Sequence, residues 1–243
     1  MRTSNALALI SLAGLAMAST AASAAEFEVA NRDVAGLIRA LQTAGTNDEA
    51  DVIHLAAGGI YTLEMTDSQG LALPEFKGHI TLDGRGAEIR RYAGNPMRFF
   101  VIAKDADVSI SDLSIAEASM GAIDNSGHTR LERISITDSD NLPGVTHAIV
   151  SNTGDLSIRD SLVGYNRVRG VAADGAIVVN EGHLTLTNTR FTANEVVRLS
   201  ADALAAGAVL NRGEMSVENG LFDGNTIGNP DGEYLASAVV EAH

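Results

Sequence analysis

The chain is 243 residues long, carries a formal charge of −14 and contains no cysteine, no tryptophan and only 4% aromatic residues. Such acidity argues against nucleic acid or an anionic lipid surface as its partner. Without thiols no disulfide can staple the fold, so a packed core or internal repetition must stabilise it.

In chain order, Arg2 precedes an apolar run through Ala6, Leu7, Leu9, Ile10, Leu12, Leu15 and Met17, followed by the small residues Ala22, Ser23, Ala24 and Ala25. This order predicts a signal peptide over 1–25, cleaved near Ala24 or Ala25, and therefore an exported protein, periplasmic, extracellular or at the cell surface. Ser11, Ser19 and Thr20 dilute the run below what a membrane anchor needs, and no later stretch is long and apolar enough to span a bilayer. Removing the segment takes away one cation and no acid, so −14 becomes −15. Residues 26–50 are predicted to form an N-terminal cap. Within it Val34, Leu37, Ile38 and Leu41 lie on one helical stripe, Asn31 or Asp33 can cap its start, and Gly45 can end it.

From residue 51 to 243 the chain repeats. The pattern Asn-x-Gly followed by alternating apolar residues recurs at Asn125-Ser126-Gly127, Asn152-Thr153-Gly154, Asn180-Glu181-Gly182 and Asn211-Arg212-Gly213, with degenerate copies at Gly78 and Ala106. Counting from each glycine or its equivalent, the second position holds Ile80, Val108, Thr129, Leu156, Leu184 and Met215. The fourth holds Leu82, Ile110, Leu131, Ile158, Leu186 and Val217. Only Thr129 breaks this inward-facing set, which has the period of a strand. Apolar residues also recur at the ninth position (Ile115, Ile136, Val163, Phe191 and Phe222) and before the anchor (Ile123, Val150, Val178 and Val209). Each repeat is therefore predicted to supply three short strands. Between them sit turn formers, Asp112, Asp160, Asn188 and Asn219 at the sixth position and Asn166, Asn194 and Asn225 at the twelfth. Stacked coil on coil, these would form ladders.

These repeats lack the three-and-four apolar spacing of helical solenoids. The fold class they imply is all-β: a parallel β-helix of about six to seven coils with a short N-terminal capping helix. Ser237-Ala238-Val239-Val240 resembles the pre-anchor strand Gly175-Ala176-Ile177-Val178, and the chain stops at His243 as another coil would turn. A truncated product, or an open edge covered by a partner or by self-association, would each explain this.

The motif from Gly175 to Leu186, with its variant from Gly207 to Val217, resembles the Gly-Ala-Ile-x-Asn-x-Gly-x-Leu-Thr-Leu repeats of bacterial secreted and surface proteins in the pectate-lyase-like superfamily. The resemblance extends to the helix Val34 to Leu41, a strand Asp51 to Leu55 and the segment Ile80-Thr81-Leu82-Asp83-Gly84. Where such relatives carry Cys-Ser-Leu-Arg-Glu-Ala, this chain has Ala35-Gly36-Leu37-Ile38-Arg39-Ala40. The resemblance implies that the helix is right-handed. Its relatives include lyases, hydrolases and adhesins, so it does not determine the chemistry.

Three sets of residues are candidates for chemistry. Arg85, Arg90, Arg91 and Arg98 could hold an anionic sugar for a lyase, which would also need a base and a cation such as calcium; their bland alternative is a solvated rim near the cap. Asp105, Asp107 and Asp112, or Asp138 and Asp140, could supply the carboxylate pair of a glycan hydrolase, although scarce aromatics leave few platforms for stacking sugars. Asp138-Ser139-Asp140-Asn141 also resembles part of a calcium loop, but lacks the Gly and distal Glu, which favours a solvated turn. The third set follows each anchor: His79, Asp107, His128, Asp155, His183 and Glu214 alternate base and acid. Stacking would put each imidazole about 5 Å from a carboxylate, raising its pKa, or form a stripe for zinc or copper. Coincidental polar residues are the alternative.

No cofactor is required by these patterns; calcium or zinc are the ions they could take. The leading expectation is a non-catalytic, adhesin-like scaffold presenting a long flat face to a polysaccharide or surface protein. The loops Asn141 to Thr146 and Val196 to Ala206 are candidate contact segments. The alternatives are a polysaccharide lyase or glycan hydrolase, and a fragment of a larger surface protein.

Overall fold

The computed structural model of the chain describes residues 24–47, 49–92, 94–141, 148–171, 175–198, 204–228, 234–236 and 239–241. All but the last two residues of the predicted signal peptide lie outside this set. The predicted helix spans Val34–Ala44, and Asp33 caps it by accepting from the Gly36 N–H at 2.7 Å. Asn31, the other cap candidate, instead accepts from the Ile60 N–H at 2.8 Å and ties the cap to the first coil. Leu37, Ala40, Leu41 and Ala44 are buried against the strands Glu26–Val29, Ala50–Leu55 and Ile60–Leu63. The helix thus closes one end of a core that each coil otherwise buries only against its neighbours.

Beyond the cap the chain winds into a parallel β-solenoid of about 7 turns. Its first face stacks the post-anchor strands Ala50–Leu55, His79–Arg91, Asp107–Ala116, His128–Glu132, Asp155–Arg159, His183–Thr187 and Glu214–Glu218. From the strand His79–Arg91 onward a left-handed residue turns each coil on to the second face: Arg85, Asp112, Arg133, Asp160, Asn188 and Asn219 have φ between 48° and 54°. Four of these six are the predicted Asp or Asn turn formers, residue types that tolerate that backbone. The second face continues the two long strands and adds Ile60–Leu63, Ser135–Thr137, Leu162–Gly164, Arg190–Thr192 and Leu221–Asp223. The pre-anchor strands Phe100–Ile102, Ile123–Asn125, Val150–Asn152, Gly175–Asn180, Ala205–Asn211 and Val239–Glu241 form a separate sheet.

A fourth strand per coil was not expected. Asp140–Asn141, Arg167–Val171, Glu195–Arg198 and Thr226–Gly228 pair in their own sheet, whose far edge is met by the antiparallel strand Tyr234–Ala236. One inward residue per strand, Val168 or Val196, is too short an apolar signal to stand out from a polar turn. Val196 and Ala205 are accordingly strand residues rather than contact loops, while 142–147 and 199–203 lie outside the described residues. The C-terminal coil begins with Val239–Glu241, but one residue out of the expected alignment: Val239, rather than Val240, is level with Val209 and Val178.

The predicted interior is observed. The second, fourth, ninth and pre-anchor positions are buried in every central coil, each large side chain contributing roughly 1.5–3 kcal/mol. Val217 departs from this at 42% exposed, because among the described residues no strand stacks beyond Glu214–Glu218. Thr129 fits because its hydroxyl donates to Asn125 Oδ1 at 2.7 Å.

Asn125 begins a buried amide ladder along the core. Its Nδ2 donates to Asn152 Oδ1 at 2.7 Å, Asn152 to Asn180 at 2.7 Å and Asn180 to Asn211 at 2.6 Å. A second buried ladder joins Asn166, Asn194 and Asn225 at 3.1 and 2.8 Å, as the twelfth-position asparagines predict. The anchor glycines answer a different demand from the turn chemistry that marks them in the sequence. A methyl group on Gly154, Gly182 or Gly213 would lie 2.1–2.2 Å from the carbonyl oxygen of the preceding anchor glycine.

Candidate functional site

Strand alternation leaves the odd positions of the first face pointing outward. The register places His79 opposite Asp107, Asp107 opposite His128, His128 opposite Asp155, Asp155 opposite His183, and His183 opposite Glu214. The predicted column therefore exists, but its contacts are uneven. His128 Nδ1 lies 2.6 Å from Asp155 Oδ2, and His183 Nδ1 lies 3.0 Å from Asp155 Oδ1, so one carboxylate serves two imidazoles. His183 Nε2 also reaches Glu214 Oε2 at 3.3 Å. Asp107 is instead held by Arg130 Nη1 at 2.5 Å. All of these groups are largely exposed, so each pair adds only about 0–1 kcal/mol to stability.

Two positions further along the strands runs a second outward column, Thr81, Ser109, Arg130, Ser157, Thr185 and Ser216, paired in register. The two columns border a shallow depression of about 500 Å³ lined by His128, Arg130, Asp155, Ser157, His183 and Thr185. Spacing could have revealed the hydroxyl column, since serine and threonine recur at the third position after the anchor. Arg130 interrupts it.

Near the cap, Arg85 donates to both Glu28 oxygens at 2.8 and 3.0 Å and to Asp83 Oδ2 at 3.2 Å. Asp83 Oδ2 also lies 3.0 Å from His54 Nδ1. The Arg85 hydrogen bond holds the Glu28 carboxyl below its ordinary range, and Glu28 in turn raises the Arg85 guanidinium. Sequence gave no signal for this network, because Glu28 and His54 precede Arg85 by a coil or more.

The four early arginines do not converge. Arg85 sits at the corner, Arg90 pairs with Glu88 at 3.4 Å, Arg91 donates to the Glu117 carbonyl at 2.8 Å, and Arg98 pairs with Asp124 at 3.1 Å on the pre-anchor face. Each guanidinium has a local partner, as a rim would. The acidic set is likewise spread out. Asp107 and Asp112 are five residues apart on one extended strand, about 16 Å, well beyond a catalytic carboxylate pair. Asp105 lies in the turn before that strand. Asp140 is bound by Arg169 at 2.8 and 2.5 Å, and Asp138 has the left-handed φ of a corner, so the tetrapeptide from Asp138 to Asn141 is corner and strand rather than an ion loop. Among the described residues no group of three or more His, Asp or Glu side chains converges as calcium or zinc ligation requires.

Asp112 accepts two bonds from Arg133, at 2.7 and 2.8 Å, and these hold its carboxyl below the ordinary range. A lowered folded-state pKa stabilises above the unfolded value of about 3.9 and ceases to as pH falls through the lowered one. Asp112→Asn, which keeps the left-handed corner, is expected to lower the melting temperature slightly at neutral pH. Near pH 2 the variant and parent should melt together; a gap that persists there would show that the effect is not this ion pair.

Compared with known proteins, the chain matches no protein-family model, no curated protein and no solved structure.

Proposed function

We propose that this is an exported, non-catalytic scaffold, related at the level of architecture to surface β-helix proteins of the pectate-lyase-like superfamily, that binds a hydroxyl-rich glycan along its first face. The observation that carries this reading is the depression bordered by the imidazole–carboxylate column and the hydroxyl column. Polar groups there recur at the strand spacing of about 4.8 Å, and offer donors and acceptors in alternation to an extended polymer. The outer ends of His128, Asp155 and His183 are 49–64% exposed and accessible to such a ligand. The dispersal of the arginines and aspartates supports binding over glycosidic bond cleavage.

Binding to immobilised neutral and acidic polysaccharides tests this. Arg130→Ala and Thr185→Ala are expected to weaken retention at least tenfold, a loss of about 1.4 kcal/mol, with melting unchanged because both side chains are outside the core. Retention of no polysaccharide, or equal retention by parent and both variants, would remove the reading. Release of unsaturated uronate or new reducing ends would replace it with a lyase or hydrolase.

A further inference from the structure

Asp51, the second residue of the strand Ala50–Leu55, has its side chain inward and fully buried. One carboxylate oxygen, Oδ1, accepts from the Ala25 N–H at 2.6 Å; the other, Oδ2, is buried with no hydrogen-bond partner. An ionised carboxylate buried with a single neutral donor is strongly disfavoured. Ala25 is itself anchored, its carbonyl accepting from the Val52 N–H at 2.9 Å as the strand Glu26–Val29 begins beside Ala50–Leu55. Ala24, immediately before it, is exposed. In the sequence, Ala22 and Ala24 are small residues at alternate positions that follow an apolar run, the pattern of a signal-peptide cleavage site after Ala24, one of the two positions the sequence offers.

We propose that the Ala24–Ala25 bond is the processing site of this chain, and that the α-ammonium released on Ala25 pairs with the buried Asp51 carboxylate. The proposal rests on the export half of the reading above and is independent of the glycan half. In the cleavage, catalysed by a signal peptidase, water adds its hydroxyl to the Ala24 carbonyl carbon and a hydrogen to the Ala25 nitrogen. That amine has an ordinary pKa of about 7.7–8.0 and takes up one more proton from solvent at neutral pH. One amide donor becomes three ammonium donors and a positive charge, at a nitrogen already 2.6 Å from the carboxylate. The same group then offers hydrogens to both carboxylate oxygens. Removing the leader would therefore supply a partner for Asp51 Oδ2 at the capped end, and only after export.

Two measurements test this. The full chain is expressed in a secreting bacterium, and the N-terminus of the exported protein is read by sequencing and intact mass; Ala25 is the expected first residue. The same protein is then released from a cleavable fusion so as to begin either at Ala25 or at one added glycine before it, which restores the amide and moves the charge outward. The added glycine is expected to lower the melting temperature by about 3–6 °C. In the Asp51→Asn background the two forms should melt together. An exported N-terminus elsewhere, or equal melting of the two forms in the parent background, overturns the proposal. Should Asp51→Asn fail to fold, the comparison in the parent background decides. Polysaccharide retention measured on the same samples separates the claims, since its loss alongside an intact Ala25 dependence would remove only the glycan reading.

Discussion

Gly182→Ala is expected to destabilise the protein by about 3 kcal/mol or more, lowering its melting temperature by about 6–12 °C. The new methyl group would lie 2.1 Å from the Gly154 carbonyl oxygen and 2.8 Å from the Thr153 carbonyl carbon, so it would meet backbone on the neighbouring coil and no rotamer could relieve the clash. Only separation of the coils can, and Asn152, on the neighbouring coil, donates to Asn180 Oδ1 and the His183 carbonyl across that stack at 2.7 and 3.0 Å. Separation would stretch those bonds too. Glu181→Ala, next in sequence but exposed and paired with Arg212 at only 3.6 Å, is the control, with an expected change within about 0.5 kcal/mol. Thermal and denaturant unfolding of both variants would check this. A Gly182→Ala protein within 1 kcal/mol of the parent would mean that adjacent coils part locally with ease.

The second large effect is expected from Asn180→Ala. The Asn180 side chain is fully buried. It accepts from Asn152 Nδ2 at 2.7 Å and donates to Asn211 Oδ1 and the Glu214 carbonyl at 2.6 and 3.0 Å. Where water does not reach, alanine would remove the donor to Asn211 Oδ1 and one acceptor of Asn152 Nδ2, which keeps the Gly154 and His183 carbonyls. Each orphaned group costs about 1–3 kcal/mol, for a total of about 3–4 kcal/mol. Asn180→Asp keeps the shape but presents oxygens to the oxygens of Gly182, Asn211 and Glu214, and should not rescue stability at neutral pH. The exposed ladder provides the contrast. Asn188 donates to Asp160 at 2.8 Å and accepts from Asn219 at 3.1 Å in solvent, so Asn188→Gly, which retains the left-handed corner, should cost under about 1 kcal/mol. Equal losses at both positions would show that burial does not set the value of these amides.

Much of the fold was legible because its signals are local. Alternation at the second and fourth positions after each anchor reports which way a strand side chain points, and it gave the correct interior for every coil but the last, where Met215 is only partly buried and Val217 is exposed. Asp112, Asp160, Asn188 and Asn219 marked their corner because the left-handed backbone is a preference of the residue itself. The fourth strand was missed because Arg167-Val168-Arg169 and Glu195-Val196-Val197 offer one buried residue each. The candidate site was only half visible. The imidazole–carboxylate column was legible as a period, but not that Asp155 serves both His128 and His183 while Arg130 takes Asp107. The grouping of Arg85, Arg90, Arg91 and Arg98 by sequence proximity failed because neighbours on one coil point to different faces.

By itself the sequence determined the solenoid, its capping helix, most of the inward residues and four of the six corners, because backbone preference and side-chain direction are set within a few residues. The tertiary structure decided which polar atoms meet. The partner of Asn180 lies 31 residues away in Asn211, that of Arg85 lies 57 away in Glu28, and the Ala25 nitrogen finds Asp51 across 26 residues. The requirement for Gly182 likewise comes from a carbonyl on another coil. Such pairings depend on the register and separation of stacked strands, and those distances exist only once the coils have closed on one another.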